Sequence, residues 1–387
     1  MEEIKRIILF TGKGGVGKTT IASATACLLS ENNLKTLVIS IDPAHSLSDV
    51  FEKELSPEPI KIKKNLYAQE IDVYYSIQKH WNALKKYLKA VFEWRGLDEI
   101  IAEEMAVLPG MEEIAGFLWV DYHYKNGEYD VIILDSAPTG ETLKFLSIPE
   151  ITEWWFRRIF PIQKKIVTTI KPALKKLTDF PLPEEKTYDD VQRLFDSLYS
   201  LHKIMQDSNV SSIRIVTNPE KVVLKETQRA FTYLHLFGYP VDAVIINRIM
   251  KDKNFEDLMK VQEEYVKKLS DFFEPIPIFY SSFYKEEITG YEKLLKFAKD
   301  LYKDKNPAEI FYKDIPIEFK KDENGYRIIL KIKEVKKEKI DIIQNDEEIS
   351  ITIGNFRKYL YLPKNLSNYK AKSAKIEENK LIIFLEK

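Results

Sequence analysis

A run of nine residues near the start of the chain has the composition and spacing needed to hold phosphate groups. It fits the pattern G-x-x-x-x-G-K-[ST] and consists of Gly12, Lys13, Gly14, Gly15, Val16, Gly17, Lys18, Thr19 and Thr20. A glycine-rich turn lets backbone N–H groups point into a concavity, and a helix N-terminus behind it favours negative charge. Lys18 would reach the β- and γ-phosphates, and the Thr19 hydroxyl would hold Mg²⁺. The run therefore predicts ATP and Mg²⁺ as cofactors.

Lys13 is a second lysine in this run, and the general pattern does not require it. It gives the deviant form of the phosphate-binding loop, and proteins with this form resemble one another in making dimers. The resemblance implies that Lys13 crosses to the partner's nucleotide. A cation arriving in trans would stabilise charge on the transferring phosphoryl group, as an arginine finger does. The alternative is a solvated lysine beside a turn.

Two carboxylates each follow a predicted strand. Asp42 follows the apolar segment 36–41, and Asp135 follows the segment 129–134. Open α/β sheets place their chemistry at the carboxyl ends of parallel strands. Asp42 could orient the attacking water, with a role as a helix N-cap as the alternative. Asp135 would hold a water on Mg²⁺.

Two further residues are candidates for contact with the nucleotide. Gly140 lies in the turn after Asp135 and could offer its backbone N–H to a γ-phosphate. Asn247 follows the predicted strand 243–246 and could hydrogen-bond the edge of the adenine. The alternative for Asn247 is an ordinary turn-forming asparagine.

The elements that must position these residues alternate along residues 1–305. Apolar strand segments alternate with helical segments, and the predicted strands are 7–10, 36–41, 129–134, 212–217, 243–246 and 276–279. This alternation predicts an α/β fold with a doubly wound, mostly parallel sheet.

Two helical inserts, 74–127 and 146–205, interrupt this alternation. The second insert repeats apolar residues at steps of three and four, the period of one helical face. They are Ile151, Trp155, Ile159, Ile162, Ile166 and Ile170. An amphipathic insert of this kind could form a groove for an apolar client, lie on a membrane surface, or cover the core.

Residues 306–387 have a different pattern. Apolar residues alternate with a period of two around 326–332, 349–353 and 381–385, and Asn324-Gly325 and Asn345-Asp346 mark turns. The pattern predicts a separate all-β sandwich domain. This segment contains no histidine and no group of residues suited to catalysis, so we expect its function to be interaction with other molecules.

Composition excludes several classes of protein. The net charge of −1 over 387 residues gives no indication of nucleic acid as a partner. Cys27 is the only cysteine, which excludes a disulfide or a thiolate zinc cage within one chain. No signal peptide is visible, and no apolar run reaches the ~20 residues that span a bilayer. We therefore expect a cytoplasmic protein.

Six stretches together resemble the ArsA/Get family, the ATPases that drive arsenical pumps or target tail-anchored proteins. The stretches are GKGGVGKTT (12–20), DPAHSLSDVF (42–51), LPGMEE (108–113), DSAPTGETLKFL (135–146), TNPE (217–220) and INR (246–248). The resemblance implies a homodimer with ATP at the interface and Lys13 acting across it. It also implies that Asp42 positions water in switch I, that residues 135–144 form switch II, and that the helical inserts form a hydrophobic groove.

This resemblance suggests a function and leaves alternatives. The expected function is an ATP-hydrolysing dimeric switch that binds hydrophobic client segments, with tail-anchored membrane proteins as one client class and a membrane receptor as a further partner to test. One alternative is a subunit of an arsenical-pump-type transporter, but soft metalloids select thiolates and Cys27 stands alone. The other is a MinD/ParA-type positioning ATPase, which shares the deviant loop.

The C-terminal residues resemble the α-crystallin domain of small heat-shock proteins. The matching stretches are NGYRIILKI (324–332), KEKIDIIQNDEEISITI (337–353), KYLYLPKNL (358–366) and AKIEENKLIIFLEK (374–387). The glycine usual before the last strand is replaced within 378–380. The resemblance implies client or dimer contacts for this domain.

Overall fold

A large, mostly parallel sheet organises the first part of the chain in the computed structural model. The structure describes residues 5–42, 46–80, 82–94, 96, 98, 111–136, 139, 140, 142, 143, 146, 147, 185–322, 325–335 and 337–387. The strands of this sheet are β1 (Arg6–Thr11), β2 (Thr36–Ser40), β3 (Ile60–Lys63), β4 (Leu66–Glu70), β5 (Val131–Asp135), β6 (Ser211–Thr217), β7 (Val241–Ile249) and β8 (Ile278–Ser282).

The strand order of this sheet is β3-β4-β2-β5-β1-β6-β7-β8. Strands β3 and β4 pair antiparallel, and each of the other neighbouring pairs is parallel. Strands β2, β4 and β3 lie on one side of β1, with β5 inserted between β1 and β2, and strands β6 to β8 follow on the other side. Ligands of open α/β sheets bind at such a switch point, outside the carboxyl ends of the strands.

Helices cover both faces of the large sheet. The described helices are α1 (Lys18–Glu31), α2 (Ser46–Phe51), α3 (Val73–His80), α4 (Asn82–Trp94), α5 (Met111–Asn126), α6 (Glu185–Gln206), α7 (Lys221–Leu236), α8 (Glu256–Phe273) and α9 (Tyr291–Tyr302). Ile7 and Leu9 of β1 join the core that contains α5 to α8, whereas Ile8 and Phe10 join the core that contains α1 and α9. Successive side chains of a strand point to opposite faces, so the predicted doubly wound α/β fold is confirmed.

Strands β3 and β4 were not predicted from the sequence pattern. β3 is four residues long and half charged, and β4 has no alternation because it is buried along most of its length. Parallel pairing of β4 with β2 stabilises both strands, and such a long-range contact leaves little trace in the local pattern. The last strand begins at Ile278, two residues later than predicted, because Pro277 lacks a backbone N–H for the ladder.

The two helical inserts are described to different extents. Helices α4 and α5 lie within the predicted insert 74–127, and α3 begins one residue before it, at Val73. Of the insert 146–205, the structure describes residues 146 and 147 and the helix α6, while residues 148–184 lie outside the described residues. The predicted apolar stripe from Ile151 to Ile170 also lies outside them.

The C-terminal part is an antiparallel β-domain, as predicted. Its strands are β9 (Ile317–Asp322), β10 (Gly325–Lys331), β11 (Ile340–Asn345), β12 (Glu348–Ile353), β13 (Phe356–Tyr361), β14 (Lys370–Glu377) and β15 (Lys380–Glu386). They form two sheets, β14-β15-β10-β9 and β11-β12-β13. Alternating residues of the two sheets, including Ile328, Ile351 and Ile383, share one buried core.

The β-domain packs on helix α7. Leu236, the last residue of α7, belongs to the core of the β-domain, and the rings of Tyr233 and Phe356 lie 4.3 Å apart between centroids. His235 is buried beside Asp314, with Nε2 2.6 Å from a carboxylate oxygen. One helix therefore contributes both to the core of the large sheet and to that of the β-domain.

Candidate nucleotide-binding site

Three strand ends meet at one edge of the large sheet, and they bring predicted site residues together. Asp135, at the end of β5, is in register with Phe10 of β1 on one side and with Ser40 of β2 on the other. The phosphate-binding run follows β1, and Asp42 follows Ser40 by two residues. Residues separated by more than ninety positions in sequence therefore lie at a single edge.

The phosphate-binding run forms a tight turn between β1 and α1. Lys18 is the first residue of α1, its side chain is buried, and its Nζ donates to the backbone carbonyl of Lys13 over 3.4 Å. A Cβ on Gly12 would lie 2.1 Å from the carbonyl oxygen of Val216 in β6. The loop is thus packed so closely against β6 that position 12 requires glycine.

Of the remaining residues of the run, some pack against the protein and others are exposed to solvent. Val16 is buried in the core, and Lys13 is half-buried. Gly14 and Gly15 are exposed, at the open side of the loop, where a nucleotide would approach. Gly15 has a positive φ of 79°, a backbone conformation that glycine adopts without strain.

Thr19 lies in the first turn of α1, and its hydroxyl faces a serine at the start of helix α2. Its Oγ1 lies 3.2 Å from the hydroxyl of Ser46, the first residue of α2. Two hydroxyl oxygens at this spacing, beside the acidic end of β5, form a group of hard oxygen donors. Such donors are those that Mg²⁺ prefers.

Asp135 is fully buried, and neither oxygen of its carboxylate has a hydrogen-bond partner among the described residues. Burial raises the pKa of Asp135 to about 7, while Thr19 and Lys18 nearby lower it and Asp42 raises it further. A buried carboxylate in this state is costly unless a positive charge or a bound water compensates it. The residues present therefore fit a Mg²⁺ ion with its water.

Side chains alone do not form a complete metal cage here. Among the described residues, no group of three or more His, Cys, Asp or Glu side chains is arranged to hold a metal ion. Mg²⁺ usually takes one or two protein ligands and completes its coordination with phosphate oxygens and water. The pair Thr19 and Asp135 is sufficient for a metal that arrives with a nucleotide.

Asp42 is half-buried at the start of the loop between β2 and α2. Its backbone N–H donates to the hydroxyl of Ser40 over 3.3 Å, and its charge contributes to the raised pKa of Asp135. Residues 43–45, which complete the loop, lie outside the described residues. The structure thus brings Asp42 near Asp135, as expected from the two predicted strands that these residues follow.

The segment after β5 is tied to β1. The hydroxyl of Ser136 donates to the carbonyl of Phe10 over 2.8 Å, and the backbone N–H of Thr139 donates to the carbonyl of Gly12 over 3.2 Å. Gly140 follows as an exposed residue of the same turn. The segment predicted to act as switch II is thus anchored directly to the phosphate-binding loop.

Asn247 of β7 contacts the phosphate-binding loop from the other side. Its Nδ2 donates to the carbonyl of Val16 over 2.9 Å. Asn247 also lines a cavity of about 630 Å³ together with Gly17, Thr20 and the segment 282–289. This volume lies within the range of small-ligand pockets, and the contact of Asn247 with a base stays a prediction.

Glu70 lies at the same edge, and the sequence pattern did not predict it. It ends β4 beside Ser40 of β2, is buried, and accepts hydrogen bonds from Ser48 of α2. The sequence around this residue gave only a weak indication of a strand end, because β4 itself was not predicted.

Cys27, the single cysteine, lies in α1 and is fully buried. Burial raises the pKa of its thiol far above the ordinary range. No helix among the described residues is long and apolar enough to cross a membrane.

Comparison with known proteins gives two family matches. The family model described as anion-transporting ATPase matches residues 5–303, and the model described as an HSP20-like domain found in ArsA matches residues 323–385.

Comparison with individual proteins gives relatives that span nearly the whole chain. A protein of Aquifex aeolicus, named “Putative arsenical pump-driving ATPase 1”, is 40% identical over 98% of this chain and 100% of its own length. A “Putative arsenical pump-driving ATPase” of Chlorobaculum tepidum is 38% identical over 94% of this chain and 91% of its own length. An “ATPase ASNA1 homolog” of Babesia bovis is 28% identical over 80% of this chain and 88% of its own length.

Proposed function

We propose that this chain, which belongs to the anion-transporting ATPase family, acts in the cytoplasm as a Mg²⁺-dependent homodimeric switch. ATP hydrolysis drives this switch, which binds hydrophobic segments of client proteins. The chain is an ATPase by this membership. The observation that carries the catalytic part is the buried Asp135 carboxylate, which has no hydrogen-bond partner among the described residues and lies at the edge that holds Lys18 and Thr19.

The phosphate-binding run holds the nucleotide in this proposal. Lys18 neutralises charge on the β- and γ-phosphates, and the backbone N–H groups of 14–17 bind their oxygens. Gly140 offers a further N–H to the γ-phosphate. Thr19 would hold Mg²⁺ and Asp135 would hold a water on it; when bound, the ion would stabilise the negative charge of the phosphates. Asn247 contacts the edge of the adenine.

Hydrolysis needs a water in line with the γ-phosphate. Asp42 orients this water and accepts its hydrogen bond as the oxygen attacks phosphorus. Charge that develops on the transferring phosphoryl group is stabilised by Lys13 of a second copy of the chain, reaching across the dimer interface. Release of the γ-phosphate then removes the contact that ordered the segment after Asp135, and the dimer relaxes.

The client-binding part is supported by the helical inserts. Their described helices carry large aromatic side chains at the surface, including Trp94 on α4 and Tyr199 on α6. An apolar helix of a client binds to such surfaces through its own apolar face. Tail-anchored membrane proteins are one client class with a segment of this kind, and a membrane receptor would accept the client after hydrolysis.

A second candidate is an ATPase subunit of an arsenical pump, which the printed names of the two bacterial relatives favour. Soft metalloids bind thiolates, and the only thiol of this chain is buried and held protonated. Antimonite should therefore leave the rate of ATP hydrolysis unchanged. A stimulation that disappears in Cys27→Ala would favour the pump subunit instead.

The test of client binding uses Asp42→Asn protein, held with ATP and Mg²⁺ so that the ATP-bound state persists. We expect it to capture a soluble-tagged apolar transmembrane segment, and not a scrambled polar segment of the same length. Lys18→Ala, which loses the phosphate contact, should capture neither. Equal recovery of the apolar and polar segments from a chain whose wild type hydrolyses ATP would overturn the client-binding proposal.

A further inference from the structure

Glu70 ends β4 at the same sheet edge as the candidate nucleotide site. Its partner in the register of β2 and β4 is Ser40, two residues before Asp42. The Glu70 side chain is 8% exposed. A carboxylate buried to this degree needs hydrogen-bond donors, and the donors it uses indicate its role.

Both carboxylate oxygens of Glu70 accept hydrogen bonds from one residue of α2. Oε1 accepts from the backbone N–H of Ser48 over 2.8 Å, and Oε2 accepts from the Ser48 hydroxyl over 2.7 Å. The same hydroxyl oxygen accepts from the backbone N–H of Leu55 over 3.3 Å. Hydrogen bonds to a charged acceptor are among the stronger ones in proteins, so Glu70 fixes the first turn of α2 against the sheet.

Helix α2 depends on such anchors because it is only six residues long. A helix of this length has little stability of its own. Its far end is held as well: the backbone N–H of Gly290 donates to the carbonyl of Val50 over 2.9 Å, and the Thr289 hydroxyl donates to Glu52 over 2.7 Å. The segment 282–289 lines the cavity beside Asn247.

The anchored helix presents Ser46 to the phosphate-binding loop. Ser46 precedes Ser48 by two residues, and its hydroxyl lies 3.2 Å from that of Thr19. The position of α2 therefore sets where Ser46 lies relative to Thr19.

We infer that Glu70 is a positioning residue for ATP hydrolysis, which holds α2 so that Ser46 meets the metal beside Thr19. This inference rests on the proposed role of Thr19 in holding the metal. Glu70 touches neither nucleotide nor water in this account; it acts through Ser48. Its loss should impair the chemical step much more than the binding of nucleotide.

The test compares three variants with the wild-type chain. Glu70→Ala removes both acceptors, and Glu70→Gln keeps an acceptor for the Ser48 backbone N–H. Glu58→Gln is the matched control, because Glu58 lies twelve residues earlier and pairs with Lys79 of α3 away from α2. For each variant we would measure kcat, KM, the Kd for ADP, the Mg²⁺ concentration that gives half the maximal rate, and the urea midpoint.

Glu70→Ala should lower kcat by about tenfold or more and leave the Kd for ADP within about threefold, since charged hydrogen bonds are lost at α2 and not at the loop. It should also raise the Mg²⁺ requirement. Glu70→Gln should recover part of kcat, and Glu58→Gln should match the wild type. Adding Ser48→Ala to Glu70→Ala should cause little further loss, because both residues act through one contact.

Two outcomes would overturn the inference. In one, Glu70→Ala lowers the urea midpoint while kcat per folded molecule stays at the wild-type value, so Glu70 is structural only. In the other, kcat and the affinity for ADP fall together, so the loop itself is disturbed. Failure of the proposed function looks different: Asp42→Asn and Thr19→Ala would then hydrolyse ATP normally, whatever Glu70→Ala does.

Discussion

The side-chain amide of Asn247 donates a hydrogen bond of 2.9 Å to the backbone carbonyl of Val16, across 231 residues of sequence. A Cβ on Gly17 would lie 2.5 Å from the same amide nitrogen, so glycine at this position leaves room for the contact. The end of β7 therefore supports the phosphate-binding loop directly. Asn247 therefore holds the loop, a role that the sequence did not predict.

Asn247→Asp should weaken nucleotide binding. The substitution keeps the shape of the side chain, but it removes the donor to Val16 and places a carboxylate oxygen against a carbonyl oxygen. We expect the Kd for ATP to rise by about tenfold or more, the cost of one lost buried hydrogen bond with an unsatisfied acceptor. Asn254→Asp, on an exposed turn before α8, is the control and should bind as wild type does. Unchanged affinity in Asn247→Asp would show that the contact is dispensable.

Asp42→Asn should separate binding from hydrolysis. The amide keeps the size of the side chain but accepts hydrogen bonds less strongly than a carboxylate, so the attacking water is no longer oriented and activated. We expect kcat to fall by about a hundredfold or more, in the range of general-base contributions, with the Kd for ATP nearly unchanged. Single-turnover hydrolysis and equilibrium binding are the two measurements. Turnover at the wild-type rate would remove Asp42 from the mechanism.

Local pattern predicted those parts of the site that lie within one strand–turn–helix unit. The run 12–20 and the strand ends at Asp42 and Asp135 could be found because a buried strand immediately precedes each of them. Glu70 could not, because β4 owes its stability to pairing with β2, a contact between segments some thirty residues apart. The Asn247–Val16 contact likewise depends on strand order, which periodicity does not encode.

A mixture of two inactive variants tests whether Lys13 acts across a dimer interface. Lys13→Ala lacks the cation for its partner's site, and Asp42→Asn lacks the carboxylate for its own. In a mixed dimer, the site of the Lys13→Ala subunit has its own Asp42 and receives Lys13 from the partner. Equal mixing should therefore restore about a quarter of the wild-type rate, since half the dimers are mixed and each has one complete site. A mixture as inactive as its components would assign Lys13 to its own subunit.

The chain without nucleotide should lose stability as pH rises, because of Asp135. Burial raises the pKa of this carboxyl from 3.8 to about 7. The folded chain thus binds more protons than the unfolded chain between these values, and its free energy of unfolding falls as pH increases from about 4 to about 7. Asp135→Asn, which is neutral throughout, should be more stable than the wild type at pH 8 by up to about 4 kcal/mol, the free energy that corresponds to this shift in pKa.

Urea unfolding at pH 5 and pH 8, in the presence of EDTA, measures this difference. Asp130→Asn is a suitable control, because Asp130 lies at the start of the same segment and is half-buried. Mg²⁺ with ADP should reverse the effect, stabilising the wild type at pH 8 and leaving Asp135→Asn nearly unchanged. Equal stability of the wild type and Asp135→Asn at pH 8 would contradict the buried, uncompensated carboxylate.

Asp314 should hold the β-domain on α7. Its carboxylate lies 2.6 Å from Nε2 of His235 and 3.2 Å from Nζ of Lys331, and the other ring nitrogen of His235 donates to the carbonyl of Lys331 over 3.0 Å. Burial alone would raise the pKa of Asp314, but His235 and Lys331 together lower it. The contribution of this group is therefore present above pH 3.8 and is lost as pH falls below it.

Asp314→Asn removes the charge and leaves the buried ring of His235 and the partly exposed ammonium of Lys331 without their anionic acceptor. We expect a loss of about 3 kcal/mol or more, as for one partner removed from a buried ion pair. Hydrogen exchange should accelerate first in strand β10 and in the last turn of α7, where the β-domain meets the large sheet. Asp341→Asn, on the exposed face of β11, should leave exchange unchanged. Uniform acceleration across the whole chain would mean that the two parts unfold together and that Asp314 stabilises the fold as a whole.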